Sequence, residues 1–486
     1  MGLRRDSRDG RRPARFTYIC ESILRSVHGA GRGRGVGGAA VGSAGRQRGG
    51  EVGGAGAGAA GRRYNVAMAT TKRQTKTDGP CPVMRACGGC EQLGLPYRKQ
   101  LARKQAAMEE LFRPLLDRMG WDVAIGPVLG MGGAAGAGKL PSPRAFRHKA
   151  TTPFAPGPHG QVRCGLFARG THRIIDIPGC PVEAQGAREI LTQVARAAEA
   201  CRIPAYDEDT RRGHLRYAVL RLGWRTDEGM LTVVTSQRDI PHREEFVGLL
   251  QEISPRLTVI AQNVNPRATN AILGGETRIL AGPARMRDRL LDCTFEISPT
   301  AFYQTNPEQT EALYRSAIDG MDLRDGDVLL DAYCGSGTIG LCAARDAAER
   351  GVGARLLGVE RNAAGIEDAL RNAAVNGLAE RASFVAEDAT AYLRRAAERG
   401  ERVDVLALDP PRAGSTPAFL EAAVALAPRR IVYISCNPVT QERDLAALGA
   451  GGYRLERLTP VDMFPHTAHV ETVAVLSRKN EDGLYI

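Results

Sequence analysis

Five times between residues 326 and 436 an apolar run stops at a turn or side chain that carries chemistry. The runs are "GDVLLDAYCGSG", "RLLGVE", "ASFVAED", "VDVLALDPP" and "RIVYISCNP". Between them lie stretches of helical period such as "TIGLCAARDAAER", "GIEDALRNAAVN" and "AFLEAAVAL". Short strands alternating with helices leave few options: a mostly parallel, doubly wound α/β sheet is predicted from Asn306 onward. In such sheets ligands bind outside the carboxyl ends of the strands. That is where Glu360, Asp388, Asp409 and Cys436 fall.

The first strand runs into Gly335, Gly337 and Gly340, a tight turn that lets backbone approach a ligand closely. Its spacing is not the phosphate-cradling Gly-x-x-x-x-Gly-Lys-Ser/Thr pattern, and it fits the dinucleotide fingerprint poorly. A nucleoside cofactor without a pyrophosphate, such as S-adenosylmethionine, fits better. Glu360, 29 residues after Asp331, suits two ribose hydroxyls, and the Glu387–Asp388 end can meet an adenine edge. Asp409 is followed by two prolines, which cannot continue a ladder and form a stiff platform. Cys436 ends the fifth run before Asn-Pro, as either a packing thiol or a nucleophile.

Upstream, residues 146–295 carry recurrent β-like runs ("RCGLFA", "RIIDI", "AVLRLGW", "MLTVVTS", "LTVIAQNV", "RILAG", "DCTFEIS") separated by Gly and polar turns. An antiparallel-rich α+β unit is expected. "YRKQLARKQAAMEELFRPLL" reads as a helix with Leu101, Met108, Leu111 and Leu115 near one face. "GMGGAAGAGKLPSP" reads as a flexible connection. Residues 1–67 are Gly-, Ala- and Arg-rich, with too little apolar surface to offset chain entropy. They fit an Arg-rich RNA-binding tail, a targeting extension, or upstream sequence translated from a wrongly chosen start. Met68 looks like a natural beginning, and the last reading is favoured. The expected division is 1–67 disordered, 68–95 cysteine segment, 96–140 helix and connection, 141–295 central α+β domain, and 296–486 cofactor-binding domain.

The net charge of +12 misleads. Residues 1–67 hold 13 Arg against 4 Asp or Glu, which leaves 53 basic against 50 acidic, or +3, for the rest. Nucleic-acid binding therefore rests on local stretches: "YRKQLARK", "SPRAFRHK" and "RRGHLRYAVLR", with Arg144, Arg147 and Lys149 preferred. No secretory signal is convincing and no apolar run reaches membrane-spanning length, so a cytoplasmic protein is expected. Of 11 cysteines, Cys81, Cys87 and Cys90 fall within ten residues, which favours a metal site over disulfides. Three soft ligands need a fourth. Cys164 is a candidate by proximity. Four thiolates suit zinc or a [4Fe–4S] cluster, and spacing does not choose.

"SCNP", with "DPPRAG" before it and "FPHTAHVETVAVL" after it, resembles the RNA uracil-5-methyltransferase family. "CPVMRACGGCEQLGLPYRKQL" resembles its iron–sulfur branch, which acts on 23S ribosomal RNA. The likeness runs through residues 81–479 in order. It implies Cys436 as the nucleophile at carbon 6 and Glu471 of "HVET" as the base. It also implies Gln304, Tyr333, Thr338, Glu360, Asp388 and Asp409 around S-adenosylmethionine. Relatives commonly carry Phe and Asn at the places of Tyr333 and Thr338. The resemblance favours Cys180 as the fourth ligand and an iron–sulfur cluster over zinc. Phe302 or Tyr303 can stack on an extruded base, although core packing is the default for both. Cys334 and Cys342 are read as packing residues, and His466 and His469 as structural, loop-orienting or RNA-contacting. The small β-barrel RNA-binding module that often precedes the cluster in relatives has no recognisable counterpart in residues 1–80. Transfer RNA is the second substrate. An amino-group methyltransferase using Asp-Pro-Pro and a non-catalytic RNA-binding protein are the rival classes. A monomer is expected.

Overall fold

A computed structural model describes residues 80–479, apart from 137, 139, 169 and 270. The expectations for 1–67 and for a start at Met68 lie outside those residues.

The C-terminal sheet is the alternation made visible. Val328–Ala332, Arg355–Glu360, Ala382–Ala386, Val405–Leu408 and Arg430–Ser435 are its parallel strands. Glu471–Arg478 is inserted antiparallel between Arg430–Ser435 and Tyr453–Val461. By order of appearance the strands lie 3-2-1-4-5-7-6. Successive side chains on a strand face opposite ways, and the two cores follow that rule. Leu329, Val432, Ile434, Val473 and Val475 enter the core on one face. Leu330, Ile431, Tyr433, Ala474 and Leu476 enter the core on the other. Full burial of each such Leu or Val stabilises by about 1.5–3 kcal/mol, so a one-residue slip of register is strongly opposed.

The helix Tyr97–Met119 buries Tyr97, Leu101, Lys104, Met108, Phe112, Leu115 and Leu116, a stripe at three- and four-residue spacing. It ends at Gly120, whose left-handed φ of 64° lets its N–H reach the carbonyls of Asp117 and Leu116. Met108, Phe112, Leu115 and Leu116 join the second core of the C-terminal sheet. The stretch expected as a flexible connection is in part a strand. Leu129–Gly130 and Gly133–Ala134 form a hairpin, and Leu129 pairs with Val461 at the sheet edge.

The central unit is a six-stranded sheet in the order Glu276–Ala281, Leu257–Val264, Gly229–Thr235, Leu215–Leu222, Lys149–Pro156, Val162–Cys164. Its pairings are antiparallel except that of Gly229–Thr235 with Leu257–Val264, which the helix Arg243–Glu252 connects. The run "DCTFEIS", grouped with this unit by sequence, behaves otherwise. Cys293–Ile297 pairs with Met286–Leu290, and Met286, Leu290, Cys293, Phe295 and Ile297 are buried in the C-terminal core.

Candidate active site

The first strand delivers Asp331, which sequence reading used only as a spacing mark. It is buried, and its Oδ2 accepts the Gly340 N–H at 2.9 Å, pinning the Gly-rich turn. Its Oδ1 has no partner. Tyr333 follows at φ 65°, a left-handed conformation that costs about 1–3 kcal/mol for a residue with a side chain. The half-buried Tyr333 ring packs on Phe419 with centroids 5.2 Å apart. Gly335 has φ 55°, and a Cβ there would meet nothing within 4 Å. The turn is therefore open at Gly335.

The other expected cofactor residues are placed as follows, with Gln304 in a cavity that no residue of this turn lines. Glu360 is half-buried at the end of its strand and accepts the Asn362 N–H at 2.7 Å. Asp388 is exposed and caps the helix Ala389–Glu398, accepting the N–H groups of Thr390 and Ala391. Thr338 opens the helix Thr338–Glu349, and its hydroxyl meets the Tyr314 hydroxyl at 2.9 Å. Gln304 lines a small cavity with Tyr303, Lys149 and Arg221. Tyr303 is buried while Phe302 stands 54% exposed, so of the two aromatics only Phe302 offers a face.

At the far side of the rim, strands five and seven meet. Ser435 pairs with Thr472, so one step further along the same antiparallel register Cys436 and Glu471 stand opposite each other. Ser435 accepts the Asn437 N–H and donates to the Asn437 carbonyl, both at 3.1 Å. Asn437 Nδ2 donates to the Arg412 carbonyl at 2.9 Å, tying the Cys436 turn to the Asp-Pro-Pro turn. The helix Pro438–Ala450 begins just beyond Cys436. A helix N-terminus favours an anion, which helps a thiolate form.

The acids here have their pKa values raised toward neutrality by their surroundings. Burial pushes Asp409 up to about 7. Burial, then the nearby Asp409 charge, pushes Glu471 up to about 8. Burial, opposed by the Gly340 N–H and reinforced by Asp409 and Glu360, takes Asp331 to about 7. Carboxyl groups set this way can take up and return protons near neutrality.

His466 is fully buried, and its Nε2 lies 2.8 Å from the Pro143 carbonyl. His469 is half-buried, its pKa lowered by burial and then by Arg412. Cys334 and Cys342 are both buried.

The thiols separate into two environments. Burial, then the charges of Cys180 and Cys87, pushes Cys90 up to about 12, and Cys87 is raised by burial and by Cys81. Cys87 and Cys180 pack on the same small core of Ala168, Ile175 and Ile177. Cys164 instead faces Arg188, Thr192 and Asp176. None of these cysteines is in a disulfide. Among the described residues no three ligand side chains are arranged to hold a metal ion as they stand.

The basic stretches divide as well. Arg98, Lys99, Arg103 and Arg144 are exposed, and Arg147 is half-buried. Lys104, Arg216 and Arg221 are buried and unavailable to phosphates as the chain stands. Lys149 is turned inward, where burial and then Arg221 and Arg147 hold its pKa well below the usual lysine range. No helix among the described residues is long and apolar enough to cross a membrane.

Residues 284–479 match the family model described as tRNA (Uracil-5-)-methyltransferase. An uncharacterized RNA methyltransferase of Halalkalibacterium halodurans is 37% identical over 407 residues, 83% of this chain and 84% of that protein. Another, from Bacillus cereus, is 37% identical over 410 residues, 84% of this chain and 85% of that protein. Among solved structures, Pyrococcus abyssi tRNA (uracil-54, C5)-methyltransferase in complex with S-adenosyl-L-homocysteine aligns with a TM-score of 0.62 at 28% identity. The alignment covers 80% of this chain and 85% of that one. With a methyltransferase sheet whose strand ends carry these acids and this thiol, the chain is an S-adenosylmethionine-dependent RNA methyltransferase and belongs to the RNA uracil-5-methyltransferase family.

Proposed function

We propose that this enzyme methylates carbon 5 of a uridine in 23S ribosomal RNA through a covalent adduct on Cys436. The observation that carries the reading is the register of strands five and seven. Extending the antiparallel register by one step past the Ser435–Thr472 pair sets Cys436 opposite Glu471, and Asp409 lies near enough to raise the Glu471 pKa.

Carbon 5 of uracil is a poor nucleophile. Addition of the Cys436 thiolate to carbon 6 turns the ring into an enolate whose carbon 5 is electron-rich. Bound S-adenosylmethionine supplies an electrophilic methyl group on a sulfonium, and Gln304, Tyr333, Thr338, Glu360, Asp388 and Asp409 would hold it. Once carbon 5 carries the methyl group, Glu471 takes the remaining proton. The carbon 5–carbon 6 double bond re-forms and the Cys436 sulfur leaves. The uridine must be extruded to reach this rim, and exposed Phe302 is the face on which it would stack. Arg144 and Arg147 of the central domain, 141–295, are the proposed phosphate contacts, whereas the inward-turned Lys149 is set aside.

Cys81, Cys87, Cys90 and Cys180 are the proposed ligands of a [4Fe–4S] cluster. Their mutual charge effects support one shared site. A single zinc ion with bonds of about 2.3 Å needs its sulfurs close together. A cubane binds each thiolate to a different iron and tolerates wider spacing. A structural role is proposed for it, in a monomer acting in the cytoplasm.

The decisive test is 5-fluorouracil RNA, which lacks the proton that Glu471 removes and should trap a stable protein–RNA adduct. An amino-group methyltransferase would form none. Mass spectrometry of ribosomal and transfer RNA from a deletion strain identifies the 5-methyluridine that disappears. Transfer RNA is the second reading, favoured by the likeness to the Pyrococcus abyssi tRNA (uracil-54, C5)-methyltransferase.

A further inference from the structure

The loop 462–470 joins the last two strands and delivers Glu471. Val461 and Glu471 are paired across its neck. The loop is held by residues more than 350 positions away, on the helix Tyr97–Met119. Lys104, with its side chain 1% exposed, donates to Asp462 Oδ1 at 2.5 Å, to the Phe464 carbonyl at 3.2 Å and to the His469 carbonyl at 2.7 Å. An ammonium has three donors, and all three land on this loop: at its entry, near its middle and two residues before Glu471. Tyr97 adds a hydrogen bond from its hydroxyl to Asp462 Oδ2 at 2.8 Å and accepts the Met131 N–H at 2.9 Å. One turn along, Gln100 Oε1 accepts the His466 N–H at 3.0 Å, and the Gln92 N–H donates to the His466 carbonyl at 2.8 Å. His466 itself sits at φ 68°, a left-handed conformation that this bracing holds in place.

We propose that Lys104 is a positioning residue for the base: by bracing both limbs of the loop 462–470, it holds the Glu471 carboxylate where it can take the proton from carbon 5. The inference rests on the uracil reading above. A buried ion pair kept for stability alone is a poor device, because apolar replacements of similar volume are often neutral or better. Bonds to the Phe464 and His469 carbonyls do nothing for Asp462; they set the path of the chain into Glu471. The step at stake comes after methyl transfer. The carbon 5 proton goes to Glu471, the electrons of that C–H bond form the carbon 5–carbon 6 double bond, and the sulfur–carbon 6 bond breaks to return the Cys436 thiolate. Misplacing the carboxylate by about 1 Å should slow this step by roughly 10²-fold, while addition of Cys436 and methyl transfer continue.

The test uses the full-length enzyme, ordinary RNA and S-adenosylmethionine labelled in the methyl group. Lys104→Met, and a Lys104→Met/Asp462→Leu double variant that leaves no lone buried charge, are compared with wild type and with Glu471→Gln, each below its own Tm. The expected result is a methyl-labelled, denaturant-stable protein–RNA adduct that builds up in both variants, as in Glu471→Gln, and is released about 10²-fold more slowly than in wild type. Unchanged release from a folded variant overturns the proposal. So does an equal slowing of methyl transfer and release, and so does failure of both variants to fold, which would make the pair a stability element. A wild-type enzyme that forms no adduct with 5-fluorouracil RNA sinks the uracil reading itself, a separate result.

Discussion

Three buried polar side chains of the central sheet and three acids at the rim of the C-terminal sheet sit in contrasting surroundings. Arg216 of the central sheet is fully buried, yet its guanidinium bonds Glu208 and the carbonyls of Asn265 and Arg267 at 2.8 Å, beneath the Tyr206 ring. Gln262 Nε2 reaches Thr235 and the carbonyls of Gln237 and Arg238. Asn263 Nδ2 is shared among Gly274, Glu276 and Thr277. At the C-terminal rim Asp331 keeps an orphan oxygen, and no hydrogen bond offsets the burial of Asp409 or Glu471. Buried polar groups are ordinarily satisfied because leaving them unpaired costs roughly 1–3 kcal/mol each. At the rim the unpaired Asp331 Oδ1 is such a group, and its partner is expected to arrive with the ligand. The contrast separates polar groups that specify structure from those held ready for chemistry.

The sharpest attempt to break that contrast is at the thiol. Cys436→Ala should lower methylation roughly 10⁴-fold or more and abolish the 5-fluorouracil adduct, with Tm nearly unchanged. Retained activity would end the covalent reading.

Next come the acids. Glu471→Gln should cost about 10²–10⁴-fold in turnover while raising stability at pH 8. The sign follows from the shift. In the unfolded chain this carboxyl ionises near its ordinary value of 4.5, whereas in the folded protein it holds its proton to about 8. Between those values the folded state binds more protons, so stability falls as pH rises through the window. The same holds for Asp409 and Asp331 between 3.8 and about 7. Calorimetry of Glu471→Gln at pH 5 and pH 8 should show a gain confined to the higher pH. A loss at pH 8 would place this acid among the structural groups.

The counterpart in the central sheet should do the reverse. Arg216→Met leaves Glu208 without its buried partner and should destabilise by about 3–5 kcal/mol. The folded fraction should keep its kcat, read from activity against urea. The smallest effect is expected at the cations. Arg144→Met should weaken RNA binding and lower the slope of log K against log salt by about 0.7–0.9. An unchanged slope would make Arg144 a solvated residue with no phosphate partner.

Much of this was legible in the chain. The strand–helix alternation led to the 3-2-1-4-5-7-6 sheet, and the acids at strand ends do gather at one rim. Both follow from local periods and turn residues. The basic stretches were less legible. "YRKQLARK" and "RRGHLRYAVLR" look alike on paper, yet Lys104, Arg216 and Arg221 are interior while Arg98, Lys99 and Arg103 face solvent. A buried cation is written with the same letter as an exposed one, and only its partner tells them apart. Asp331 passed as a spacing mark because an orphaned oxygen leaves no trace in sequence. The segment "GMGGAAGAG" looked like a flexible connection because a strand this short gains its pairing from an edge that another part of the chain supplies.

By itself, then, the amino-acid order determined the alternating sheet, its turns and the kinds of side chain at each strand end. Those depend on neighbours within a few residues, through the 3.6- and 2-residue periods and through Gly and Pro. Tertiary structure alone decided that Cys180 rather than Cys164 faces Cys90, that Lys104 reaches across 358 positions to Asp462, and that Asp409 lies near Glu471. Such pairings are set by which faces pack together, and desolvation by that packing is what turns ordinary carboxyls into groups that titrate near neutrality.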